Sequence, residues 1–135
     1  MTNTVSLELA KELWELGLKI ETEKWWNAYD SIDLVTNTAY SDNYLVEDKR
    51  RWDIGDNSYS YSSYPAPQTD ELLAVLPDWY KIRKAHNRYY CMADGLDPDE
   101  HPMITEDKNP AEALGLMCKH LLEQGYALKN GILSK

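Results

Sequence analysis

The stretch NPAEALGLMCKHLLEQG, residues 109–125, decides the fold. Asn109 has a side-chain oxygen that can accept from the free N–H groups of a first helical turn. Pro110 follows at N1, where its missing N–H costs nothing and its fixed φ suits a helix. Glu112 stands at N3, where a carboxylate can reach back to the cap and faces the positive end of the helix dipole. Leu114, Met117, Cys118 and Leu121 then recur at i, i+3, i+4 and i+7, one apolar stripe. Gly125 is placed to end the helix in the left-handed region. The spacing therefore predicts a helix over 110–124, and a stripe this continuous must be buried against something. That is a statement of fold and not of activity.

Working outward, the nearest partner is the hairpin read in residues 79–93. Tyr80 and Ile82 alternate with Lys81 and Arg83, and Tyr89 and Cys91 alternate with Tyr90 and Met92. His86-Asn87 makes the turn between them. Residues 94–100, DGLDPDE, form an acidic loop, and Met103-Ile104 is a short third strand candidate. Earlier in the chain, Thr4 or Ser6 caps a helix over 7–16 with Leu9, Leu13 and Leu16 on one face, and Gly17 stops it. Trp25, Trp26, Tyr29, Ile32, Leu34 and Val35 read as one or two strands, with a turn at Asp30-Ser31. Residues 37–43 read as loop, 44–46 as a short strand and 53–57 as a turn. Thr69 caps a short helix over 70–76, which Pro77 ends.

Composition narrows the class. A chain of 135 residues is long enough to bury a core without staples, so one domain spanning 1–135 is expected. The net charge of −9 sets most of the surface against phosphate backbones and anionic membranes. Nucleic acid is therefore disfavoured as a partner over most of the surface; the charge reads plainly as solubility and, more sharply, as a match for a protein with a basic surface. There is no Phe, but there are ten Tyr and five Trp, residues suited to half-buried surfaces and interfaces. Cys91 and Cys118 form no C-x-x-C and read as small buried hydrophobes. The N-terminus lacks the pattern of a signal peptide and no long apolar window exists, so a cytoplasmic protein off the membrane is expected.

The chemistry-bearing residues do not assemble into a known motif. His86, His101, His120, Cys91 and Cys118 are scattered, and Cys118 and His120 are about 200° apart on a helix, so no metal site is expected. The acidic loop fails the EF-hand pattern, because position twelve from Asp94 is Thr105. No G-x-S-x-G or phosphate-binding glycine loop occurs, so neither a catalytic residue nor a cofactor is assigned. Two surfaces stand out instead. One combines Tyr59, Tyr61 and Tyr64 of the Ser/Tyr run, read first as an edge strand or an ordered loop, with Asp94, Asp97, Asp99 and Glu100. Tyr-rich segments supply rigid contacts and acids steer association. The other is the basic hairpin, where Lys81, Arg83, Lys84 and Arg88 stand among aromatics in the manner of a single-strand-binding surface.

Three blocks resemble a known group: SLELAKELWELGL at 6–18, PAPQTDELLAVLP at 65–77 and PAEALGLMCKHLLEQG at 110–125. Their order is similar to that of small proteins carried by phages, prophages and other mobile elements of Bacteroides-type gut bacteria. Pro67-Gln68-Thr69 carries one residue more than the Pro-Thr spacing of that group. The resemblance brings no catalytic residue. It implies a phage or mobile-element accessory protein with an α+β fold.

The expectation is thus a single α+β domain. Residues 25–46 and the 79–93 hairpin build an antiparallel sheet, with helices 7–16, 70–76 and 110–124 packed on it. The expected function is non-enzymatic protein–protein interaction, with nucleic-acid binding through the basic hairpin as the alternative.

Overall fold

A computed structural model describes residues 3–33, 35, 38–46, 59–93 and 104–135. The order is α1 (Leu7–Glu15), β1 (Trp25–Asp33), β2 (Thr38–Val46), β3 (Tyr59–Pro65), α2 (Thr69–Val75), β4 (Tyr80–Ala85), β5 (Arg88–Ala93), β6 (Thr105–Asp107), α3 (Pro110–Glu123), β7 (Ala127–Lys129) and β8 (Ile132–Ser134). The fold is α+β, and every strand pairing among the described residues is antiparallel.

Helix α3 is the hub, because α1, α2, β5, β6 and β8 all pack against it. The expected stripe of Leu114, Met117, Cys118 and Leu121 is buried throughout, and Ala111, Ala113, Gly115 and Leu122 widen it. Leu9, Leu13, Leu72, Cys91 and Leu133 join the same core. Both long helices end alike. Gly17 N–H donates to Trp14 O and Leu18 N–H to Leu13 O; Gly125 N–H donates to Leu122 O and Tyr126 N–H to Leu121 O. This is the paired closure in which a residue at positive φ turns the chain back, and glycine takes that conformation without a Cβ penalty. Gly17 and Gly125 have φ of 102° and 94°.

Asn109 caps α3 as expected, its Oδ1 accepting from Ala111 N–H at 2.9 Å. Its Nδ2 also donates to Thr4 O at 2.8 Å. Glu112 does not reach back to its own cap; its carboxylate accepts from Ser6 N–H, at the start of α1. The N-terminus of α3 therefore anchors the segment that leads into α1. Trp26 Nε1–H donating to Val5 O at 2.8 Å and Val5 N–H donating to Pro67 O at 3.1 Å fix that segment from the other side. Ser6, not Thr4, caps α1, accepting from Leu9 N–H. Helix α2 is capped by Gln68 and not by Thr69, and Glu71 accepts from Gln68 N–H at 2.9 Å.

The expected single sheet is divided. β2-β1-β3 form one sheet, β4-β5-β6 a second, and β7-β8 a separate hairpin. Pro67, α2 and Pro77 interrupt the chain between β3 and β4, and proline has no N–H to extend a ladder. β1 runs straight through Asp30-Ser31, the expected turn, and β2 occupies most of the expected 37–43 loop. β1 is the central strand, paired on both sides, so ladder hydrogen bonds outweigh the poor strand propensity of its polar residues. β3 lies at an edge, so of the two readings of the Ser/Tyr run the edge strand holds and the ordered loop does not. The third strand of the second sheet is β6, starting just after Met103-Ile104. The expected turn at 53–57 lies outside the described residues. Among the described residues no helix is long and apolar enough to cross a membrane.

Candidate interaction surface

The hairpin β4-β5 turns at His86-Asn87, both at positive φ (52° and 61°), as a two-residue turn matched to strand twist requires. Its register pairs Lys81 with Met92, Ile82 with Cys91, Arg83 with Tyr90 and Lys84 with Tyr89. Residues opposite each other share a sheet face, and successive residues alternate. One face therefore carries Ile82, Cys91 and Thr105, with Cys91 at 0% exposure and Ile82 packed against the core. The other carries Lys81, Arg83, Tyr90, Met92 and Glu106, with Lys81 and Arg83 exposed.

The four cations grouped by the sequence are thus not equivalent. Lys81 and Arg83 stand together on the outer face, beside a hollow of about 280 Å³ lined with Ile82 and Met92. Arg88 is tied to Glu106 by an ion pair at 3.6 Å. Lys84 falls on the other parity, its Nζ 5.7 Å from the centre of the Tyr89 ring. Trp79, half exposed at 52%, leads into β4.

The acidic and tyrosine set is placed only in part. Tyr59, Tyr61 and Tyr64 lie on β3. Tyr64 is half-buried against the core, with Lys11 Nζ 5.7 Å from its ring centre, so it is committed to the fold. Asp94, Asp97, Asp99 and Glu100 lie outside the described residues.

Among the described residues no group of three or more His, Cys, Asp or Glu side chains is arranged to hold a metal. A second hollow, about 340 Å³, lies between Ile104, Thr105 and the Leu116–Glu123 side of α3. Lys119 on its rim is engaged with the Glu12 carboxylate of α1.

Cys91 and Cys118 are free thiols, both buried. Burial pushes the Cys91 thiol up to about 12, offset in part by a hydrogen bond with Thr105. Cys118 is also driven upward, first by burial and then by the neighbouring Cys91. A folded-state pKa above the unfolded one contributes stability that is fully present below the unfolded value of 9.0 and is lost as pH rises toward the folded value. Stability is therefore expected to fall between about pH 9 and pH 12, as the thiols ionise in the unfolded chain while burial keeps them protonated in the folded one. Urea titrations across that range, with thiolate absorbance followed in the folded protein, check this. Thiolate appearing in the folded protein at or below pH 9 would contradict the burial argument.

No family model, curated protein or solved structure matches the chain.

Proposed function

We propose that this protein is a non-enzymatic accessory protein that acts by binding another protein. The observation that carries the reading is the outer face of β4-β5. In a chain of net charge −9 it sets Lys81 and Arg83 near Tyr90 and Met92, around a hollow lined by Lys81, Ile82, Arg83 and Met92. Apolar and aromatic side chains supply binding energy, and charges set association rate and choice of partner. The resemblance in residues 6–18, 65–77 and 110–125 supports a phage or mobile-element setting. The acidic loop and the Ser/Tyr strand remain part of the proposal as a contact for a basic surface, on the strength of the sequence alone.

The nucleic-acid reading is weaker. Phosphate binding scales with the cations that converge on one groove. Here Arg88 is paired with Glu106 and Lys84 lies on the opposite parity to Lys81 and Arg83, so the four cations do not converge on one groove. The test is affinity capture by the full chain from cells carrying related elements, run beside retention of a mixed oligonucleotide pool at low and physiological salt. A stoichiometric protein partner, with oligonucleotides lost at physiological salt, is the expected result. Salt-resistant oligonucleotide retention without a protein partner would overturn the proposal.

A further inference from the structure

We propose that the hairpin β7-β8 is a clasp that opens as a unit while the rest of the domain stays folded, uncovering an apolar seat on α2 and α3. The hairpin is a sheet of its own, and among the described residues its strands pair only with each other. The chain is pinned just before it. Tyr126 packs against the core, and its N–H donates to Leu121 O at 3.0 Å. Beyond Tyr126, no backbone hydrogen bond among the described residues ties the hairpin to another element. Lys129 Nζ donates to Lys135 O at 2.9 Å, a bond within the same segment.

The inward face of the hairpin is two leucines. Leu128 stands opposite Leu133 in the register, so the two share a face. Leu133 is fully buried and Leu128 packs against the core. On the other face Ala127, Lys129 and Ile132 are exposed. The seat is formed by α2 and α3, which pack against each other and against β8. Other neighbours of α3 are tied more firmly. The start of α1 is bonded to Asn109 and Glu112, and β5 is laddered on both sides. A two-stranded hairpin with strands of three residues is marginal in water by itself. Its closed form therefore depends on seating the leucines, and elements with few buried contacts open first. The closed form hides an apolar seat and the open form presents it, so the clasp sets access to that seat.

Amide exchange of the full chain across a series of sub-denaturing urea concentrations measures the opening. In a two-residue hairpin the pair flanking the turn, here Lys129 and Ile132, exchanges backbone bonds, so their amides report closure. The expected result is measurable protection of these two amides, about a hundredfold or more below that of Met117 and Leu121 in α3. Their exchange should respond only weakly to urea, because opening the clasp exposes little surface. Leu133→Ala removes the buried anchor and should lower hairpin protection by about tenfold or more, while Ile132→Ala, on the outward face, should lower it far less. Leu9→Ala, in α1, should lower the protection of α3 and leave that of the hairpin unchanged. Hairpin amides that match α3 in protection and urea response, that fall together with α3 in Leu9→Ala, or that lose as much in Ile132→Ala as in Leu133→Ala would each overturn the inference. Hairpin amides with no protection at all would also overturn it, since the clasp would then never be closed. The urea series on the parent decides the matter even where a variant fails to fold.

Discussion

Leu114→Ala is expected to lower the free energy of unfolding by about 2–5 kcal/mol, the range for emptying a leucine site in a packed core. Leu114 has no exposed surface, and it lies in the second turn of the helix against which α1, α2 and the second sheet all pack. Those elements are fixed independently, by the Asn109 and Glu112 bonds to Thr4 and Ser6 and by the β5-β6 ladder. The cavity therefore cannot close by a small shift of one neighbour, which places the expected loss in the upper half of the range. Helix propensity acts in the other direction, since Ala is the better helix former, but only by a few tenths of a kcal/mol. A domain of this size is stable by about 5–15 kcal/mol, so the loss is a large share of the total. Leu116→Ala, on the half-buried side of the same helix, is the control and should cost clearly less. Urea unfolding of both variants measures the difference. A Leu114→Ala shift below about 0.5 kcal/mol, the scatter of surface changes, would refute α3 as the hub.

Elements whose local chemistry and burial agree were legible in the sequence. The cap, first-turn proline, stripe and terminal glycine of α3 all point one way, and the helix ends one residue from the expected end. The 79–93 hairpin was equally readable, because Tyr80 and Ile82 alternate with Lys81 and Arg83 around a turn that tolerates positive φ. Where long-range pairing decides, the sequence was a poorer guide. β1 and β2 contain Asp, Asn and Ser at positions that suggest turns, and only the paired ladder makes them strands. The β7-β8 hairpin was missed although Asn130-Gly131, both at positive φ, is a strong turn signal. Its strands are three residues each, too short for periodicity to register, yet Leu133 is fully buried in the core. The candidate surface was half legible. Composition located the basic hairpin, but only the register shows that Lys81 and Arg83 share a face while Lys84 does not.

Gly115→Val is expected to destabilise by about 3 kcal/mol, at or beyond the upper end of ordinary overpacking. Gly115 is unlike the glycines at element ends. It sits inside α3, where glycine costs about 1 kcal/mol relative to alanine, so something must offset that cost. The offset is the close approach of α1. A Cβ placed on Gly115 would lie 2.7 Å from Leu9 Cδ2 and 2.9 Å from Val5 Cγ1. Leu9 has a flexible end and can give way in part. Val5 cannot, because it has a branched, short side chain and its backbone is held by Pro67 O and Trp26 Nε1. Alanine at 115 would set about 1 kcal/mol of regained helix propensity against a moderate clash, for a small net loss. Valine adds two methyl groups to the same clash and regains less propensity, so its loss should be much larger. A double variant with Leu9→Ala opens space on one side of the added side chain. The cycle of single and double variants should therefore show a favourable coupling of about 0.5–3 kcal/mol, as expected for residues in direct contact. Additive losses would mean that α1 and α3 do not meet at Gly115, and a Gly115→Val protein as stable as the parent would mean that the helices have room to spare there.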